Sequence, residues 1–245
     1  MNQALQHLAI IPDGNRRWAR SFWVRLKAKL HRQNITYGHQ QGTENLGPIL
    51  KELLYLGIPY VTIWACSPSN LQRSPEEVEL LYKVLKDAFE RLLQNEEIHR
   101  YKVNIKVVGR WRDPKLCPLE LQDVISKCIL ATRNYNNFTL TILVAYSGLD
   151  EIVDTIRNFA RSTLLAPQID YAQVIKRSWN YHLPPVDLVI RTGVEGDPHN
   201  SEAFLPFHTA NSQYYFARTY WPAFSVKELR KAIKDFYHRE RRFGK

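Results

Sequence analysis

The run His7-Leu8-Ala9-Ile10-Ile11-Pro12-Asp13-Gly14-Asn15-Arg16-Arg17-Trp18 sets a carboxylate, a glycine, an amide and two guanidinium groups directly behind a short apolar stretch. Leu8 to Ile11 has the length and composition of a buried strand, and the residues after Pro12 enter a helix. A strand-to-helix turn with these side chains suits a diphosphate. Asp13 offers hard oxygen for Mg²⁺, and Gly14 lets the backbone approach a ligand closely. The helix amino end presents unpaired N–H groups, while Arg16 and Arg17 add charged donors that fork onto phosphate oxygens. Taken alone, Asp-Gly-Asn reads first as an ordinary turn.

The elements that must position this run alternate in type. Leu46, Ile49, Leu50, Leu53 and Leu54 recur at helical spacing, and Gly57 stops that helix. Tyr60 to Ala65 reads as a buried strand. Ser74-Pro75-Glu76-Glu77 opens a helix with an N-cap serine, proline in the first turn and Glu77 placed for a capping box. Its apolar face runs through Val78, Leu81, Leu85, Phe89 and Leu92. Strands are expected at Val103 to Val108 and Phe138 to Ala145, and helices at Leu119 to Thr132, around Asp150 to Arg161 and at Tyr171 to Tyr181. The apolar run Val186 to Ile190 ends in Arg191, at a strand's carboxyl end, where open α/β sheets bind ligands. Ser225 and Glu228 cap the last helix. This alternation implies a single α/β domain with a mostly parallel central sheet flanked by helices.

Charge narrows the partner. Against 24 acidic residues the chain carries 34 basic ones, a net charge of +10, which calls for an anionic partner. The arginines cluster at Arg16-Arg17 and between Arg239 and Arg242 instead of forming one stripe interleaved with aromatics, which favours phosphorylated small molecules over nucleic acid. Cys66, Cys117 and Cys128 have no Cys-x-x-Cys spacing and read as reduced, buried thiols of a cytoplasmic protein. The functional run begins too early for a signal peptide to precede it, and no apolar run reaches the length of about 20 residues that spans a bilayer, so no stable membrane insertion is expected.

The stretch from His7 to Ala19 resembles the first signature of the cis-prenyltransferase family, usually His-x-Ala-x-Ile-x-Asp-Gly-Asn-Gly-Arg-Trp-Ala, with Arg16 in place of the second glycine. Further resemblances follow in the family's order. Gly38, His39 and Gly42 match its Gly-His segment. Ser67, Asn70 and Arg73 match a Phe-Ser-x-Glu-Asn-Trp-x-Arg loop that closes over substrates, whereas Cys66, Ser69 and Leu71 depart from it. Tyr146-Ser147-Gly148 resembles Asn-Tyr-Gly-Gly, with Ala145 replacing the asparagine. Arg191-Thr192-Gly193, Trp221-Pro222-Ala223-Phe224 and the ending Arg239-Glu240-Arg241-Arg242-Phe243-Gly244 complete the set.

The resemblance implies Mg²⁺-assisted ionisation of an allylic prenyl diphosphate, with the metal on Asp13, the leaving group's charge met by Arg16, Arg17 and the backbone from Gly14 to Arg17, and Trp18, His39, Ser67, Arg73 and Arg191 also binding substrate. Arg32, in the basic stretch after Arg20, matches a further arginine for this diphosphate, and the same stretch also reads as a solvated helix face. Asn15 and Asn70 either position the reactants or cap local structure. The family's homodimer implies that Arg239, Arg241 and Arg242 work in the neighbouring subunit's phosphate site. The helix after Ser74 is expected to line a hydrophobic tunnel for the growing chain, with Tyr82, Leu85 and Phe89 placed to shorten it.

The acceptor side departs from the family pattern. No lysine or arginine occurs from Thr192 to Ala217. Gln213 falls where the family has a glutamate that shares the acceptor's metal, Asn200 and Glu202 fall near its diphosphate-binding arginine and serine, and Glu195 and Asp197 add negative charge. A neutral amide is a poor Mg²⁺ ligand beside a carboxylate. The expectation is a prenyltransferase for which isopentenyl diphosphate is a poor acceptor: it would join allylic diphosphates head-to-middle into a lavandulyl-like skeleton, or use an acceptor lacking a diphosphate. Ordinary head-to-tail elongation and a non-catalytic partner subunit are the alternatives.

Overall fold

The computed structural model describes residues 4–21, 37–161 and 169–239. Its centre is one six-stranded sheet: β1 His7–Ile11, β2 Tyr60–Trp64, β3 Val103–Val108, β4 Phe138–Leu143, β5 Leu188–Arg191 and β6 Gln213–Phe216. Every neighbouring pair is parallel, in the order β3-β4-β2-β1-β5-β6. All five residues of β1 are buried, because a strand inside a parallel sheet is covered on both faces. Leu8 and Ile10 pack into the larger core, and Ala9 and Ile11 into the smaller one behind the sheet.

Helices close both faces. Among the described residues they are α1 Asn15–Arg20, α2 Tyr37–Tyr55, α3 Pro75–Leu93, α4 Glu96–Arg100, α5 Leu119–Thr132, α6 Gly148–Arg161, α7 Tyr171–Arg177 and α8 Val226–His238. None is long and apolar enough to cross a membrane. The larger core gathers Ile49 and Leu53 of α2, Leu85 and Phe89 of α3, Ile125 of α5 and Phe236 of α8 against β1, β2 and β4. Burying a Leu, Ile or Phe side chain stabilises by roughly 1.5–3 kcal/mol, so this layer dominates the fold's cohesion.

Several boundaries differ from the sequence reading. Helix α2 begins at Tyr37, ahead of the apolar repeat, and runs through Pro48. Strand β4 stops at Leu143 instead of Ala145, because Ala145 takes a left-handed conformation (φ 49°) and donates its N–H to Cys66 Sγ. Helix α7 stops at Arg177 instead of Tyr181: Ser178 is extended, with its N–H spent on the carbonyls of Val174 and Ile175. The cap of α3 is half of the expected box. Ser74 Oγ accepts the Glu77 N–H at 3.4 Å, but the Glu77 carboxylate turns to Arg16. The box on α8 is complete.

Ile10 pairs with Ile63 on one side, and Ile11 pairs with Arg191 on the other. The turns that follow β1, β2 and β5 therefore leave the sheet at the same edge. The chain lays β2, β3 and β4 to one side of β1 and then returns to lay β5 and β6 on the other. A crevice opens at such a reversal of strand order, and Asp13 stands in it.

Candidate active site

The crevice is a pocket of about 470 Å³ lined by the β1–α1 turn from Ile11 to Arg17, the loop Ala65 to Arg73, and Arg191, Ser201 and Glu202. Asp13 organises it. Its Oδ1 accepts the Gly14 N–H at 2.6 Å and lies 3.2 Å from Arg17, and its Oδ2 lies 3.1 Å from Arg191. The Asp13 carbonyl is fixed by Thr192 Oγ1 at 2.8 Å and by the Trp221 N–H at 3.0 Å. Three segments distant in sequence thus meet on one residue.

The glycines near the turn serve packing as much as ligand approach. Gly14 has a left-handed φ of 98°, and a Cβ there would fall 2.5 Å from the Tyr220 ring. A Cβ on Gly38 or Gly42 of α2 would strike Asn15, at 2.4 Å from its backbone oxygen or 2.3 Å from Oδ1. These two residues, one turn apart, let α2 press against α1. Because α1 has only six residues, its dipole is short and the arginines supply most of the positive field.

Four guanidinium groups of the pocket, those of Arg16, Arg17, Arg73 and Arg191, are met by carboxylates. Arg16 pairs with Glu77 at 3.2 Å, Arg73 approaches the same carboxylate at 4.0 Å, and Arg17 bridges Asp13 and Glu195. The Arg17 guanidinium also lies 5.5 Å from the centre of the Tyr220 ring, whose hydroxyl donates to Glu195. Arg191 is the most enclosed, its side chain 10% exposed, and it donates to the His199 carbonyl at 2.6 Å. Its Nε is buried without a partner. Burial, and then the like charge of Arg16, push Arg73 below the ordinary guanidinium range. An incoming dianion relieves that repulsion and satisfies unpaired donors.

Asn70 and Ser67 form a reciprocal cap on the 3₁₀ turn Pro68–Gln72: Asn70 Oδ1 accepts the Ser67 N–H at 3.1 Å, and Ser67 Oγ accepts the Asn70 N–H. Both still line the pocket. Asn15 donates to the Pro12 carbonyl at 3.1 Å and leaves its Oδ1 buried without a partner. It stands where the polar pocket meets a second, apolar cavity of about 100 Å³. That cavity runs between α2, α3 and the sheet, lined by Leu46, Ile63, Leu85, Ala88, Phe89 and Leu92 among others. Tyr82 is not part of it, because its hydroxyl is turned to the Leu116 carbonyl at 2.8 Å.

The remaining sequence candidates scatter. Trp18 is half-buried and outside the pocket lining. Gln213 opens β6 opposite Leu188, at the amino end of the strands and so across the sheet from Asp13. Arg239 lies beside it, donating to the Tyr214 carbonyl at 2.9 Å. Within one chain neither reaches the pocket. Arg32, Arg241 and Arg242 fall outside the described residues, as does the side chain of His39. Three residues that the sequence reading did not assign to the leaving-group site also shape it: Glu77 and Tyr220, whose signals were a helix cap and an aromatic beside Trp221, and Glu202, which enters the pocket wall.

Comparison with known proteins agrees with this fold. The family model described as undecaprenyl diphosphate synthase matches residues 11–244. The chain is 36% identical to the tritrans,polycis-undecaprenyl-diphosphate synthase (geranylgeranyl-diphosphate specific) of Pyrococcus horikoshii, over 98% of this chain and 87% of that one. The protein of the same name from Thermococcus kodakarensis is 37% identical, over the same shares of each chain. A crystal structure of lavandulyl diphosphate synthase from Lavandula x intermedia, in complex with dimethylallyl diphosphate, superposes with a TM-score of 0.82 at 28% identity, covering 98% of both chains. A probable undecaprenyl diphosphate synthase from Campylobacter jejuni shares the fold with a TM-score of 0.75 at 21% identity, covering 99% of this chain and all of the other. With a family match spanning nearly the whole chain, the protein is a prenyltransferase with diphosphate substrates, and the chain belongs to the undecaprenyl diphosphate synthase family of cis-prenyltransferases.

Proposed function

We propose that the pocket ionises a short allylic diphosphate and that the second substrate is not ordinary isopentenyl diphosphate bound through its own diphosphate. One observation carries this reading: the segment from Val194 to Glu202, which meets Arg17 and Arg191, holds no lysine or arginine and contributes Glu202 to the pocket lining. Arg16, Arg17, Arg73 and Arg191 exchange their carboxylate partners for the leaving diphosphate as the allylic C–O bond breaks with its electron pair on oxygen. The prenyl tail lies in the apolar cavity past Asn15. The acceptor's double bond attacks the cation, and the coupled product loses a proton.

Asp13 is the residue that would hold Mg²⁺. No group of three or more His, Cys, Asp or Glu side chains able to cage a metal occurs among the described residues, whereas Asp13 is a half-exposed carboxylate at the phosphate end of the pocket. This donor set fits Mg²⁺ bound through one carboxylate, phosphate oxygens and water. When bound, the metal would neutralise charge on the departing diphosphate.

A homodimer is part of the proposal, and α6 supports it. This helix is inside out: Glu151 and Thr155 are buried at 0% and 2%, while Leu149, Val153 and Ile156 are exposed at 58%, 44% and 62%. Apolar side chains left outward while polar ones are buried mark a face that expects cover. A partner could also bring the separated Gln213 and Arg239 to a pocket they do not reach in their own chain. The three free, buried thiols suit a reducing cytoplasm.

The alternative is ordinary elongation, favoured by the names of the relatives at 36% and 37% identity and by the apolar cavity beside the pocket. The lavandulyl diphosphate synthase likeness favours the first reading. Mass analysis of products from dimethylallyl, geranyl, farnesyl or geranylgeranyl diphosphate, each with and without isopentenyl diphosphate, separates them. A branched product formed without isopentenyl diphosphate supports the proposal. A linear polyprenyl product made efficiently with it refutes the proposal.

A further inference from the structure

Two carboxylates line the diphosphate pocket, and they are treated differently. Asp13 is paired with Arg17 and Arg191. Glu202 has no ion pair among the described residues, and its side chain meets a hydroxyl: Ser69 Oγ donates to Glu202 Oε1 at 2.6 Å. Ser69 in turn lies 2.6 Å from Ser67 Oγ, so one chain of hydrogen bonds ties the loop over the pocket to the loop on the acceptor wall.

The backbone that carries Glu202 is built to keep it there. Glu202, Ala203 and Leu205 all have left-handed φ, at 44°, 50° and 47°. Non-glycine residues persist in that region only when their surroundings over-determine them, and such strain gathers at functional sites. Here the surroundings do. The Gly148 N–H donates to the Glu202 carbonyl at 3.0 Å, and a Cβ on Gly148 would come within 1.7 Å of the Ala203 oxygen. The Leu205 N–H donates to Tyr146 Oη at 3.2 Å, and that fully buried hydroxyl donates to the buried Glu151 carboxylate at 2.5 Å. Glu151 is held by the backbone and side-chain N–H groups of Asn180. A buried network is thus committed to a strained loop whose pocket-facing side chain is an uncompensated negative charge.

We infer that Glu202, latched to Ser69, is a charge gate that sets acceptor specificity: it turns away an anionic group at this wall and admits an acceptor that presents a neutral one. The inference rests on the proposed reading of the pocket and names the residue that enforces it. An unpaired carboxylate beside a bound diphosphate repels a second one through a medium less screening than water. The hydrogen bond to Ser69 keeps the carboxylate in place without cancelling its charge.

The test neutralises Glu202 without changing its size. Inorganic diphosphate is titrated calorimetrically into the wild type and E202Q, and the KM for isopentenyl diphosphate is measured with dimethylallyl diphosphate as donor. We expect E202Q to bind inorganic diphosphate about tenfold more tightly and to lower the KM for isopentenyl diphosphate about tenfold, the size of effect that about 1.4 kcal/mol produces. Glu202→Asn repeats the measurement with a residue that takes left-handed φ readily, so a folded neutral variant is in hand even if glutamine strains the loop. Values unchanged from wild type in both variants, with native circular dichroism, overturn the gate. That outcome is distinct from efficient wild-type elongation, which overturns the acceptor reading and leaves the titration to speak for Glu202 alone.

Discussion

Asp13→Ala is expected to have opposite effects on diphosphate binding with and without Mg²⁺. Asp13 makes two ion pairs, 3.2 Å to Arg17 and 3.1 Å to Arg191, and its side chain is 38% exposed. Without metal, removing it takes a negative charge from an anion site and leaves Arg17 with Glu195 and Arg191 with the His199 carbonyl as their remaining partners. At about 5 Å and an effective dielectric constant between roughly 20 and 80, each facing phosphate charge interacts with the carboxylate by about 1–3 kcal/mol. Screening in a half-exposed site reduces this to about 1.4 kcal/mol, or tenfold tighter binding of inorganic diphosphate. With Mg²⁺ the sign reverses, because the one carboxylate placed to hold the metal is gone and affinity falls below wild type. Turnover falls by about 10³ or more, corresponding to roughly 4 kcal/mol of lost transition-state stabilisation. The fold survives: leaving the enclosed Arg191 without its partner costs about 2 kcal/mol, discounted for exposure, which lowers Tm by roughly 4–8 °C in a domain of this size. Calorimetry in EDTA and in Mg²⁺, with thermal denaturation by circular dichroism, reads all three. Equal weakening under both conditions would show that Asp13 is not the metal's ligand, and wild-type turnover with Mg²⁺ would sink the reading of the whole turn.

Acid should unfold the protein through its buried histidines. Burial lowers His7 and His208 from 6.5 to about 4, so each stabilises the fold fully above pH 6.5 and loses that contribution as the pH falls toward 4. Between pH 7 and pH 5 the loss is about 2 kcal/mol for each, and urea midpoints that do not move across this range would contradict it. Gly148→Ala should destabilise by about 1–3 kcal/mol and weaken selection on the acceptor wall, because its Cβ would meet the Ala203 oxygen at 1.7 Å; wild-type Tm together with unaltered substrate preference would refute that packing argument. Ile156→Asp, on the outward apolar face of α6, should shift a dimer to monomer in light scattering and reduce activity, and a variant that stays dimeric would remove α6 from the interface.

The sequence by itself determined the local pieces. The apolar runs Leu8 to Ile11 and Val186 to Ile190 lack the polar alternation of a sheet facing water, and both proved to be central parallel strands because both of their faces are covered. Ser74-Pro75 and Ser225-x-x-Glu228 announced helix starts, since capping is settled within four residues. Asp13, Arg17 and Arg191 were expected to face phosphate from their residue types and their places at strand ends, and Arg73 from its match to the family's loop; the fold brings all four to one pocket. Only the tertiary structure decided who meets whom. That Asp13 joins Arg17 and Arg191 while Glu77 leaves its own helix cap for Arg16 depends on strand register and on the side of β1 where β5 is laid. Linear spacing carries no record of either. Gln213 shows the converse: it was matched by its position in a motif, yet register sets it at the amino end of β6, across the sheet from the pocket. Glu202 reached the wall through a left-handed turn imposed by Tyr146 and Gly148, residues more than 50 positions earlier. Short-range physics writes elements into the sequence, whereas the meeting of charges across a sheet edge is fixed by packing that no local stretch of residues contains.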